Sequence, residues 1–428
     1  MTRILAVLLL AGLAGCIEDG TSGPSQEPAA VEPPFLQVLT RISESDGGGE
    51  PSLGVSPDGV WYTNIYSDVY RSDDEGHTWQ NLGDPAAPIP NNDPDLAVDR
   101  DGVIWESRLY ALACNEVSVS QDGGATWTTA PVVCNGPVGD RQYVVPTQDC
   151  TAYLYWHQIP TFYQTVMKST DCGLTWLPTG PAETPDGHLL VTEGSSWGGG
   201  GFHNDVTGST YLTYTRNQGV VDGAVLGEPA RPGTSITRDG LLWEESDGPD
   251  FDGTGLGLSL VVGAADDAGN AYLAWGENMD GDVGIFVTRS TDDGLSWESK
   301  IRIDAPDTGS HVFPAIAAGA DGHVAVAYYQ SEDESHPDTA TNWTVELAWT
   351  DAYGSDWNYE RLSDGIVKSD PICISGTTCT SGREFLDYFA LERGPDGRVG
   401  AAFNELTDDG LRNWFALTEP ILGPWPAA

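Results

Sequence analysis

The chain has 428 residues, with 64 acidic against 19 basic side chains and a formal net charge of −45. A surface that acidic argues against nucleic acid and anionic lipid as partners. The length allows one large all-β domain as readily as several smaller ones.

At the start of the chain Arg3 precedes an apolar run, Ile4 to Leu13, that is too short to span a bilayer and reads as an export signal. Its end, Leu13-Ala14-Gly15-Cys16, resembles a bacterial lipobox, which implies cleavage before Cys16 and lipidation of that thiol. By the same resemblance Ile17 is compatible with outer-membrane sorting. Residues 1–15 are therefore expected to be a signal peptide, 16–34 the lipidated cysteine and a flexible tether rich in Gly, Pro and Ser, and 35–428 the globular domain. The expected location is the cell envelope, at the outer membrane, with the bilayer touched only through the N-terminal lipid, and the expected state is a monomer.

The globular part is built on a repeated octet, SxDxG followed by any residue, Ser or Thr, and Trp. Full copies run from Ser72 to Trp79, Ser120 to Trp127, Ser169 to Trp176 and Ser290 to Trp297. Altered copies run from Thr237 to Trp243, one residue short, and from Thr350 to Trp357, where Ala352 replaces the aspartate. Gly at the fifth position takes φ > 0 without penalty. The Asp side chain accepts hydrogen bonds from its own turn, and the terminal Trp presents a large apolar face to the neighbouring layer. A hairpin of this kind, recurring roughly every 50 residues, predicts four-stranded blades of a β-propeller.

Each repeat opens with a short apolar strand and a tight turn. The turns fall at Asp58-Gly59, Asp101-Gly102, Asp149-Cys150, Thr207-Gly208, Ala268-Gly269, Asp321-Gly322 and Asp396-Gly397. These predict seven blades, or six if two repeats share one. The seventh repeat has no octet, and the strand-like Phe35 to Ile42 has no repeat of its own, so the N-terminal strand is expected to complete the last blade and close the ring.

The octets resemble the Asp-box, or BNR repeat, of sialidases and of several non-enzymatic propellers. The resemblance implies a propeller whose Asp-boxes lie on the rim away from the ligand face. It does not imply activity.

Seven cysteines less Cys16 leave an even number in an exported chain, so disulfides are expected. The spacing suggests Cys114 with Cys134 across the second octet hairpin, Cys150 with Cys172 between two turns at one end of the third blade, and Cys373 with Cys379 closing a small loop. A metal role for them is not indicated.

Residues just before each first strand should crowd the mouth on the face opposite the octets. They include Glu50, Asp93, Asp95, Asp140, Arg141, His203, Asp205, His311, Asp387 and Tyr388. The connections from second to third strands add Asp68, Arg108, His157, Arg216, Glu277 and Glu405. A mainly acidic mouth suits calcium, an amine or sugar hydroxyls. Resemblance to sialidases implies an arginine clamp for a carboxylate, a Tyr nucleophile and an acid. Tyr388-Phe389-Ala390-Leu391 resembles the nucleophile segment, and Asp68 is placed rather like the general acid. However, Gly49-Glu50-Pro51 stands where the family has an arginine. Expected function is thus a tethered propeller that binds glycans or other extracellular ligands. An exo-α-sialidase or related glycosidase, and an envelope protein scaffold, are the alternatives.

Overall fold

Each octet folds as the turn its residues require. In Ser169 to Trp176 the Ser169 hydroxyl donates to Asp171 Oδ1 (2.9 Å), as does the Thr175 N–H (2.9 Å), and the Thr175 hydroxyl donates to Oδ2 (2.6 Å). The Gly173 N–H then closes the turn on Ser169 Oγ at 2.9 Å. The same four bonds recur around Asp74, Asp122 and Asp292. The backbone passes through two left-handed residues in succession: Glu75 and Gly76, Gly123 and Gly124, Cys172 and Gly173, Asp293 and Gly294.

The computed structural model describes residues 35–44, 47–86, 94–110, 114–134, 139–158, 164–179, 198–216, 231–252, 254–255, 260–279, 282–305, 309–332, 336–374, 379–386 and 389–426. Every regular element among them is a strand. The strands form seven antiparallel sheets. We call these blades 1 to 7, with innermost strands at Leu53–Val55, Asp95–Val98, Gly139–Pro146, Gly198–Asn204, Val262–Ala265, His311–Ala318 and Ala390–Arg393. Blade 5 carries one extra short strand, Thr254–Gly255, on the inner side of Ala271–Met279.

The outermost strand of blade 7 is Leu36–Arg41, which pairs antiparallel with Gly410–Pro420. The N-terminal strand therefore closes the ring as expected. This closure also accounts for the seventh repeat lacking an octet: its third and fourth strands come from opposite ends of the chain, so there is no hairpin for an octet to turn. All the predicted first turns pass through left-handed residues, at Gly59, Gly102, Asp149 and Cys150, Gly208, Gly269, Gly322 and Gly397.

The octets also hold blade to blade. A Cβ on Gly76 would lie 2.2 Å from the Phe415 ring of blade 7, and one on Gly294 would lie 2.6 Å from Tyr211 of blade 4. Glycine is needed there for space as well as for its left-handed φ. Beside it, the octet tryptophans pack on the preceding blade: Trp79 edge-on to Phe415, Trp176 to Trp105, and Trp243 to Tyr153. Buried aromatic pairs of this kind contribute about 0.5–1.5 kcal/mol beyond their area. Cys150 is bonded to Cys172, and Cys373 to Cys379. Cys114 is also disulfide-bonded, and its Cα partner across the hairpin is Cys134.

Candidate functional site

The seven innermost strands surround a central cavity of about 360 Å³. Its walls are small and apolar, with Val55, Ala97, Val145, Gly201, Ala264, Ala317 and Leu391 contributed by the seven blades in turn. Its polar groups lie at the two ends. Strand direction defines those ends, because each inner strand runs from the mouth toward the first turn, on the same face as the octets.

At the mouth, blades 1 to 3 build a cluster. Asp95 begins the inner strand of blade 2 and accepts from Ser52 Oγ of blade 1 (3.0 Å) and from the Val144 N–H of blade 3 (2.7 Å). Burial pushes its carboxyl up to about 6, against the pull of those bonds. Glu50, ahead of the inner strand of blade 1, and Arg141, the third residue of the inner strand of blade 3, are both buried, with Glu50 Oε1 4.0 Å from Arg141 Nη1. Both adopt left-handed φ, 54° and 51°. In blade 3 the pairing slips between Asp140 and Tyr143, a bulge of the kind that re-aims a side chain. Arg141 hydrogen-bonds the Tyr143 phenol, and burial raises that phenol's pKa, so Tyr143 stays protonated and remains a donor.

The rim around this cluster is mixed. Tyr66 has left-handed φ and is 52 % exposed in the turn after the second strand of blade 1, against Gly48. Across the ring His311 donates from Nδ1 to Val283 O (2.8 Å), lies 3.5 Å from Asp304, and meets the Tyr328 ring edge-on.

Several expected positions take other roles. His203 is a correction: it is the sixth residue of the inner strand Gly198–Asn204, so it sits at the turn end of the cavity, opposite the mouth. The glycine run before it forms strand rather than loop, which displaces His203 and Asp205 along the axis. There His203 bonds Thr210 Oγ1 (3.0 Å), and Asp205 pairs with Arg100, whose guanidinium stacks 3.7 Å from the Trp425 ring centroid. Arg108, Glu277 and Glu405 lie within second strands rather than in loops. Arg108 is buried against Asp84 (2.5 Å) and Glu116 (3.6 Å), Glu277 against Lys300 (2.7 Å), and Glu405 accepts from Trp414 Nε1 (2.8 Å).

Asp68 accepts from Asn81 of the outermost strand (2.8 Å), which turns its carboxylate toward the rim of blade 1. Asp140 pairs through its backbone with His157, at the mouth end of blade 3. Asp93, Asp387 and Tyr388 lie outside the described residues; Leu386, next to the last two, packs on Gly49 beside the mouth cluster.

Two buried polar groups, Tyr143 at the mouth and Glu106 in the second strand of blade 2, were not legible in the sequence. The bulge hides Tyr143 behind Arg141, and Glu106 sits mid-strand. The Glu106 carboxyl is fully buried, and that burial, helped by the nearby Asp84 charge, pushes it up to about 8 against the pull of Arg108.

No protein-family model and no curated protein matches this sequence. Solved structures do. An ulvan lyase, described as a new family of polysaccharide lyase, aligns over 88 % of this chain and 95 % of its own, with 12 % identity and TM-score 0.53. A xyloglucanase from Xanthomonas campestris aligns over 89 % of this chain and 56 % of its own, with 15 % identity and TM-score 0.50. The endosialidase of phage phi92 aligns over 92 % and 70 %, with 10 % identity and TM-score 0.50. The molecule is thus a seven-bladed β-propeller, a fold it shares with glycoside hydrolases and polysaccharide lyases.

Proposed function

We propose that this protein is an exported, envelope-tethered propeller of Asp-box type that binds carbohydrate at the mouth built by Glu50, Asp95, Arg141 and Tyr143. The observation that carries the reading is that Asp95 and Tyr143 line one end of a 360 Å³ cavity, with the buried Glu50–Arg141 pair, both on left-handed backbone, beside Tyr143. Left-handed φ at a non-glycine residue costs of order 1–3 kcal/mol and tends to persist where function requires it. Carboxylates, a guanidinium and a protonated phenol offer the donors and acceptors that sugar hydroxyls need. Tyr66 at the rim adds an exposed ring on which a pyranose face can stack. The self-bracing octets support the Asp-box assignment, and the lipobox at Cys16 supports the tether.

Binding without classical sialidase turnover is favoured because the acids claim the guanidinium groups. Arg141 faces Glu50, Arg108 faces Asp84 and Glu116, and Arg302 faces Asp304. A substrate carboxylate would have to displace them. The test is a glycan array run beside a fluorogenic sialoside assay. Array binding with no fluorophore release supports the reading; fluorophore release that Tyr388→Phe abolishes would establish the sialidase instead. Pull-downs that recover an envelope protein, with a blank array, would favour the scaffold.

A further inference from the structure

Leucines crowd one side of the octet face. At the sixth octet position blades 3, 4 and 5 carry Leu174, Leu241 and Leu295, which are 59 %, 78 % and 60 % exposed. Leu242 and Leu177 beside them are 72 % and 70 % exposed. Blades 1, 2 and 6 have His77, Ala125 and Ser355 at that position. Neighbouring tips share one surface: Leu177 is the Cα partner of Lys168, whose ammonium donates to Asp239 O in the blade 4 turn, two residues from Leu241.

Leu174, Leu241 and Leu295 are not needed for the turn, since the sixth position works equally with His, Ala or Ser. Soluble surfaces rarely gather large apolar side chains at one edge unless something covers them.

The course of the chain says what does. Leu36 pairs with Thr418, near the octet end of a third strand that runs from mouth to octet face, and Arg41 pairs with Trp414 nearer its middle. Phe35 therefore leaves the ring on the octet face, the face that bears the leucines. It leaves from blade 7, across the ring from blades 3 and 4. The 19 residues from Cys16 to Pro34 can span no more than about 65 Å even when fully extended. A lipid on Cys16 would thus hold the octet face within reach of the bilayer at one edge of the ring, and the leucine tips lie at the other.

We infer that the octet face is a bilayer-docking surface, in which Leu174, Leu241, Leu242 and Leu295 enter the headgroup and acyl boundary and turn the mouth away from the membrane. Two attachments on opposite edges fix an orientation that a lipid anchor at one edge alone leaves free. The strongly acidic surface selects a zwitterionic lipid surface over an anionic one. The inference rests on the tethered-propeller reading for the anchor but not on the ligand of the mouth.

The test uses the chain from residue 16 onward carrying Cys16→Ser, which has neither lipid nor the apolar run Ile4 to Leu13, in co-sedimentation with phosphatidylcholine vesicles. Binding is expected, and the combined substitution Leu174→Ser, Leu241→Ser, Leu242→Ser and Leu295→Ser should lower the vesicle-bound fraction at least tenfold. Melting temperature and glycan-array signal should not change, because the leucines are exposed and remote from the mouth. Equal sedimentation of the two proteins, or no vesicle binding by the unsubstituted leucine surface, overturns the inference. A dimer in sedimentation velocity that the substitution abolishes also overturns it, by assigning the leucines to a second copy. A blank array with leucine-dependent vesicle binding would sink the carbohydrate reading alone.

Discussion

Glu50 Oε1 lies 4.0 Å from Arg141 Nη1, and this pair joins blade 1 to blade 3 over the head of blade 2. Both residues are buried at the mouth, so removing either leaves a charge with poor compensation. Arg141→Ala should weaken ligand binding about 10- to 100-fold, the worth of one charge-assisted hydrogen bond, and lower stability by about 3 kcal/mol. Titration calorimetry and urea unfolding separate the two effects. Unchanged affinity in a folded Arg141→Ala variant would remove Arg141 from the site.

The octet glycines make a sharper structural prediction. Gly76 and Gly354 both have strongly positive φ, 87° and 90°, but an added Cβ meets Phe415 at 2.2 Å in the first case and nothing within 4 Å in the second. Gly354→Ala should cost about 1 kcal/mol, the backbone penalty alone. Gly76→Ala should cost that plus overpacking of about 1–3 kcal/mol. Equal midpoints in urea for the two variants would show that the close approach to blade 7 does not matter.

How much of this was readable beforehand follows from the kind of signal. The octets and first turns are local: Ser, Asp and Gly at fixed spacing must form the same bonds wherever they occur, so seven blades and the closing strand could be counted from the residues. The mouth depends on where each strand starts, which short turns do not fix. His203 was displaced because Gly198–Gly201 pair as strand, and Tyr143 was concealed because a bulge after Asp140 shifts it into line with Arg141. Glu106 gave no signal, because its role arises from burial between blades.

Stability should be greatest in mild acid. Burial raises Asp95 to about 6, Glu392 to about 7 and Glu106 to about 8. Their favourable contribution is complete below the ordinary carboxylate range and is lost as pH rises through those values. Octet carboxylates act oppositely: the Thr126 hydroxyl and N–H hold Asp122 down to about 2, and Thr175 and Ser296 likewise depress Asp171 and Asp292. Their contribution is present above about pH 4 and is lost as pH falls toward 2. The melting temperature should therefore peak near about pH 5, and Glu106→Gln should flatten the alkaline side of the profile. A maximum at pH 8 would contradict the burial assignments.

Among the described residues no three His, Cys, Asp or Glu side chains converge as a metal site. Calcium at the acidic mouth is tested by glycan binding in EDTA and by the melting temperature at millimolar calcium, which a specifically bound ion would raise. A calcium-dependent rise would place an ion at the mouth, with Asp93 and Asp387 as the first candidates to mutate.

The account depends most on the mouth being a carbohydrate site. The direct measurement is the dissociation constant of the strongest array glycan for the intact protein, for Tyr66→Ala and for Arg141→Ala. The account predicts that both substitutions weaken binding, Arg141→Ala by at least about tenfold, with the glycan recovered uncleaved. Affinity equal in all three proteins, or a cleaved glycan, would contradict it.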